Sequence, residues 1–274
     1  MTGHLGIGAT ARRILKKYYH IRPYAMVRNF IARCVPCARK RQNPKSRIKN
    51  HRHTMLTHQA STPMEILYMD IFGPLPETGN HKKYILSVKE GFSKYCWFIP
   101  IENQESQTIA KKLEKYVFGY FGLCDVIVTD NQASLNSRTM KELYKKLNIT
   151  RKPIVSYNPA SNSVERVHST LASIFRALAP EYEGDNKWID FVPAINLAVN
   201  SAKHRTTDFS PAFLFTGRSA RLQRQLIFGE HEQEDRTRED HAVEVAERMK
   251  KVYKVVKENV AKHLEYRKKR IPRR

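Results

Sequence analysis

The sequence predicts an α/β domain, a mixed five-stranded sheet with flanking helices. A small helical module precedes it and a long charged helix follows. Three observations carry this. Apolar, β-branched runs follow one another closely at Ile66–Ile71, Lys83–Val88 and Tyr95–Ile101. Beyond them, helical and strand-like segments alternate. The apolar positions from Val164 to Leu178 then recur at helical spacing. Successive strands followed by alternating helix and strand are the pattern of a mixed sheet with helices packed on it.

Taken in order, Ala11–Tyr19 and Tyr24–Arg33 have helical spacing, with Ile21, Arg22 and Pro23 as the break between them. Residues 43–60 are polar, basic and rich in His, and read as a linker. Gly91 and Ser93 mark the turn between the second and third strands. A helix is expected over Ser106–Tyr120, a fourth strand over Cys124–Thr129, a helix over Ser137–Lys146 and a short fifth strand over Ile149–Ile154. Val164, Val167, Leu171, Ile174, Phe175 and Leu178 form one stripe of the next helix, with Asn162 or Ser163 as its N-cap. Trp188–Ser201 is a further helix. Residues 237–270 read as a long charged helix with Val243, Ala246, Met249, Tyr253, Val256, Val260 and Leu264 in register. The domains expected are therefore 1–42, a linker over 43–60, 61–228 and a helical tail over 229–274.

The chain has 49 Lys and Arg against 26 Asp and Glu among 274 residues, a formal net charge of +23. No acidic residue precedes Glu65, whereas the first sixty residues hold fourteen Lys or Arg. This excess points to a polyanion partner. A hydrophobic content of 41% suffices for a packed core and excludes a disordered chain. The first twenty residues are basic and lack the apolar stretch of a signal peptide. No uncharged apolar run approaches the roughly 18 residues of a membrane span, so no membrane partner is expected. Four cysteines, two of them in Cys34-Val35-Pro36-Cys37, fit a reducing compartment and a metal site better than a disulfide framework. Cys96 and Cys124 read as buried strand residues.

Three acids stand out. Asp70 ends the first strand, Asp130 ends the fourth and Glu165 lies in the first turn of the following helix. Any one alone reads as a capping or surface carboxylate. Together they are the donor set of a two-metal phosphoryl-transfer site, since Mg2+ takes oxygen ligands and keeps several waters. In so basic a chain, the phosphoryl substrate expected is nucleic acid rather than a small molecule.

The surrounding residues resemble the integrases of gypsy-type long-terminal-repeat retroelements and, more broadly, retroviral-type integrases. Asp70 sits in Met69-Asp70-Ile71-Phe72-Gly73-Pro74-Leu75-Pro76, Asp130 in Thr129-Asp130-Asn131, and Glu165 in Tyr157-Asn158-Pro159-Ala160-Ser161-Asn162-Ser163-Val164-Glu165-Arg166-Val167-His168. His204-Arg205-Thr206-Thr207, Ser210-Pro211-Ala212 and Gly217-Arg218 resemble the end of the family's core. The resemblance spans residues 3–228 and implies an RNase H-like core of the DDE superfamily. Asp70, Asp130 and Glu165 would hold two Mg2+ or Mn2+ ions there. It also implies trimming of element DNA ends and strand transfer into target DNA, a homo-oligomer and a nuclear location. Asn131, Lys152, Asn162 and Arg166 are candidates to contact DNA near the site, or else ordinary surface groups.

Three positions depart from the family pattern. Gln132 replaces a glycine, Ser163 replaces another, and 34 residues rather than 35 separate Asp130 from Glu165. The family's N-terminal module is a His-His-Cys-Cys zinc site, onto which His4, Cys34 and Cys37 map. The fourth ligand would fall before Met1, and the small β-barrel-like DNA-binding domain that commonly follows in such integrases would lie beyond the basic helix, so the resemblance implies a chain truncated at both ends, with a weak, open zinc site. His20 is either a packing or surface residue or a substitute ligand. Two other functions remain open, a non-catalytic DNA- or chromatin-binding remnant and a stand-alone nuclease. The 237–270 helix reads equally as an oligomer interface or as a solvated helix.

Overall fold

The structure, a computed structural model, describes residues 6–15, 18–34, 60–153, 165–178, 188–220 and 238–269. It forms two compact units, Met1–Val199 and Asn200–Arg274.

The first unit opens with α1 (Ile7–Leu15) and α2 (Pro23–Arg33). Pro23 occupies the first turn of α2, where its missing N–H costs nothing. Helix α1 starts four residues before the expected Ala11, and Tyr18 and Tyr19 lie outside it. The cause is packing: Ile7, Ala11 and Ile14 share the face that meets Val27, Ile31 and Cys34. The expected linker over 43–60 falls outside the described residues, save Ala60.

The sheet contains β1 (Ile66–Phe72), β2 (Tyr84–Glu90), β3 (Cys96–Ile101), β4 (Val126–Thr129) and β5 (Thr150–Pro153), ordered β3-β2-β1-β4-β5. Strands β1, β2 and β3 pair antiparallel, while β4 and β5 run parallel to β1. This is the mixed five-stranded sheet that the sequence predicts. At the β2–β3 turn the buried Glu90 carboxylate accepts the Phe92 N–H at 2.8 Å, the Ser93 N–H at 2.5 Å and the Ser93 hydroxyl. Burial raises its pKa against these bonds, which lower it.

Helix α3 (Ser106–Leu113) runs into a π-helical turn (Glu114–Phe118) and a last α turn (Gly119–Phe121), a break in regularity that the sequence did not signal. Ser137 caps α4 (Arg138–Lys146) by accepting the Met140 N–H at 3.2 Å. In α5 (Glu165–Leu178), Val167, Leu171, Ile174 and Phe175 of the expected stripe are buried. Helix α6 (Trp188–Ser201) meets the edge strand β3 at Phe98. Its Asn196 amide accepts the Phe98 N–H at 3.1 Å and donates to the Phe98 carbonyl at 3.3 Å, which pairs groups an edge strand otherwise exposes.

The second unit contains α7 (Pro211–Thr216) and α8 (Arg238–Lys269). Helix α7 was not expected, although Ser210 as N-cap, Pro211 at the first turn and left-handed Gly217 at the end are all readable stop and start signals. Helix α8 is tied to its own unit: the Tyr253 hydroxyl donates to the Leu214 carbonyl at 3.3 Å and Asn259 to the Thr207 carbonyl at 3.2 Å. Val256 of its apolar stripe is buried. No helix among the described residues is long and apolar enough to cross a membrane.

Candidate functional site

The site follows from the register of two parallel strands. Met69 of β1 pairs with Thr129 of β4 as the last pair of their ladder. Asp70 and Asp130 are the next residue on each chain, so they emerge side by side on one face of the sheet, at about the 4.8 Å strand spacing. The Asp70 Oδ1 accepts the adjacent Ile71 N–H at 2.8 Å, and the Asp130 Oδ1 accepts the Gln132 N–H at 3.0 Å. Alternation along the strands puts Tyr68 and Phe72 on this face with Asp70. Ser87, directly across from Asp70 on β2, and Lys152, paired with Val128 on β5, belong to it as well.

Helix α5 lies over the same face. Its His168 ring stands 5.3 Å from the Phe72 ring, and Phe175 stacks on Phe72 at 6.1 Å. The His168 Nδ1 lies 3.6 Å from the Asp70 Oδ2. Burial lowers the His168 pKa, with Asp70 acting in the opposite sense. Glu165 is the first residue of α5, three positions before His168, and the i, i+3 relation puts both positions on one helix face. The side chains of Glu165 and Arg166 lie outside the described residues, as does Asn162. Two buried polar atoms near Asp70, the His168 Nε2 and the Ser87 Oγ, have no hydrogen-bond partner among the described residues.

Asp130 stands just past the end of β4, in a loop held from β5. The Arg151 guanidinium donates to the Thr129 hydroxyl at 3.0 Å, the Asp130 carbonyl at 2.9 Å, the Asn131 side-chain oxygen at 3.3 Å and the Asn136 side-chain oxygen at 3.0 Å. The Gln132 side chain, at a position where the resemblance leads one to expect glycine, donates to Gln104.

Adjacent hard oxygen donors suit Mg2+ or Mn2+. Two carboxylates in this relation, with a third acid at the head of the overlying helix, fit such ions. No group of three His, Cys, Asp or Glu in metal-binding arrangement occurs among the described residues, which do not include the Glu165 side chain. Of the expected zinc set, Cys34 alone is described: it follows α2, half-buried against the module's core. His4 and Cys37 lie outside. His20 is exposed, and its Nδ1 accepts the Arg22 N–H at 3.0 Å, so it shapes the turn before α2. Cys96 and Cys124 are buried, as expected.

Sequence reasoning missed His168, Ser87 and Arg151. The helical period made His168 readable, three residues after Glu165. Ser87 required the β1–β2 register, and Arg151 required the path of the Asp130 loop.

Comparison with known proteins agrees with this architecture. Residues 60–159 match the integrase core domain, and residues 1–43 match the integrase zinc binding domain. The retrovirus-related Pol polyprotein from transposon opus of Drosophila melanogaster is 28% identical over 230 residues, covering 81% of this chain and 21% of that protein. The Gag-Pol polyprotein of avian reticuloendotheliosis virus is 28% identical over 193 residues, covering 69% of this chain and 16% of that protein. The chain thus spans about a fifth of the length of the curated relatives it matches. Among solved structures, a simian T-cell lymphotropic virus intasome in complex with PP2A regulatory subunit B56 gamma aligns at 19% identity with a TM-score of 0.49, covering 80% of this chain and 73% of that chain. With a zinc-binding module and a core domain in this order, and retrotransposon and retroviral Pol polyproteins as its relatives, the chain belongs to the retroviral-type integrases.

Proposed function

We propose that this chain is the polynucleotidyl transferase of a retroelement, trimming the 3′ ends of linear element DNA and joining them to target DNA. The observation that carries this reading is the placement of Asp70 in β1 and Asp130 just past β4, each one residue beyond the last pair of the parallel β1–β4 ladder, under the helix that Glu165 begins. Trimming is hydrolysis: water attacks a phosphodiester and a 3′-hydroxyl leaves. Joining is transesterification: that 3′-hydroxyl attacks a target phosphodiester and displaces the target's own 3′-oxygen. Mg2+ or Mn2+ bound to Asp70, Asp130 and Glu165 would supply Lewis-acid activation of the attacking oxygen and charge stabilisation of the leaving one. The protein's part is to hold the carboxylates at fixed separation and orient the strand. Lys152, on the carboxylate face, and Asn131, Asn162 and Arg166 would contact DNA. So would the basic first sixty residues and Arg267–Arg274, through phosphates and without reading sequence.

The same reading divides the chain into a zinc-binding module over 1–42 with His4, Cys34 and Cys37 as ligands, a linker, a catalytic core over 61–228 and a charged tail. It makes the protein a nuclear homo-oligomer acting on DNA. The test is a strand-transfer assay with Mg2+ or Mn2+ on the chain and on Asp70→Asn. Joining by the parent, lost in the variant while salt-sensitive DNA binding persists, is the expected result. Joining retained in Asp70→Asn overturns the assignment. Binding without joining by the parent supports the DNA-binding remnant instead.

A further inference from the structure

We propose that Arg151 is a positioning residue: from behind the sheet, it fixes the loop that presents Asp130. The inference rests on the catalytic reading above and assigns a role that the three acids do not explain. Asp130 is not held by the β4 ladder, which ends at Thr129. What fixes it is one guanidinium, donating to the residue before it, to its own carbonyl, to the residue after it and to Asn136 on the far side of the loop. Arg151 pairs with Ile127, and alternation sets its position on the sheet face opposite Asp70. It therefore acts through the loop and not by touching metal or DNA.

The chemistry requires arginine. Four acceptors spread around a bend need the five donors of a planar fork, whereas lysine offers three donors at one point. The carboxylate follows the loop's path, because the Asp130 Oδ1 is tied to the Gln132 N–H. Metal sites tolerate little looseness in such outer partners, whose loss lowers metal affinity by roughly 10–100-fold.

The test measures Mn2+ binding to the full chain, counting only the binding that Asp70→Asn abolishes, alongside thermal unfolding and DNA joining. Arg151→Gln is expected to weaken that binding about tenfold or more, at the lower end of the outer-partner range. It should unfold cooperatively and keep its DNA affinity, with joining restored by excess Mn2+. Arg151→Lys should fall between the two. Mn2+ binding within about twofold of the parent, whatever happens to Tm, overturns the proposal, since the outer-partner range begins well above that. If Arg151→Gln does not fold, Asn136→Ala carries the test: weaker Mn2+ binding is expected, and unchanged binding overturns the proposal. A parent that binds Mn2+ at Asp70 but joins no DNA defeats the catalytic reading alone, and the ratio between variant and parent still decides the role of Arg151. A parent with no Asp70-dependent Mn2+ binding defeats both.

Discussion

Burial pushes the Cys96 thiol up to about 11 and the Cys124 thiol up to about 12, because a thiolate is poorly solvated inside the sheet and its flank. Alkylation needs thiolate and access. Cys96 and Cys124 should therefore resist iodoacetamide at pH 8 in native protein and react only after unfolding. Peptide mapping of the labelled sites checks this, and native labelling of Cys96 would contradict the buried strand. The sequence makes these two cysteines legible as buried because each lies in or beside an apolar strand. The same reasoning finds Asp70 and Asp130, since an acid closing an apolar run is conspicuous. It misses Ser87, whose meaning comes only from facing Asp70 across β2. It also misses Arg151, one basic residue among 49 Lys and Arg, which becomes special through acceptors 15 to 22 positions away.

Helix α5 joins packing to chemistry. Leu171 is fully buried at its centre, between the head that carries Glu165 and the part that stacks on Phe72. Leu171→Ala should cost roughly 2–5 kcal/mol, the range for emptying a buried leucine site. Ser137→Ala, which removes only the cap of α4, should cost about 1 kcal/mol. Urea denaturation of both variants checks the order, and an equal loss would mean that α5 packs loosely. Elements whose boundaries follow local signals were readable to within one or two residues, including β1, β3, α2, α6 and α8. Helix α1 was not, because Ile7 joins the core only through the helix opposite it, and two nearby glycines hide its helical spacing. The π-helical turn in α3 was also hidden, since Glu114–Phe118 has nothing in its composition to distinguish it from ordinary helix.

Across the whole molecule, the net charge of +23 would dominate the encounters with nucleic acid that the proposed function requires. If six or more phosphates are contacted, DNA affinity should fall about a thousandfold or more between 50 and 200 mM salt. Deleting Arg267–Arg274 should flatten the slope of log K against log salt, and Asp70→Asn should leave it unchanged. Filter binding across a salt series checks both, and a slope indifferent to the deletion would remove those arginines from the DNA footprint. The adjacency of β1 and β4 has another consequence. Two acids sixty positions apart become neighbours only after β2, β3 and α3 have been threaded between them. A ribosome halted before β4, or a protease cut that frees β4 from β1, leaves lone carboxylates and no pair. If the proposed function holds, the cutting centre would exist only where these elements have folded together, and folding itself would act as its safety catch.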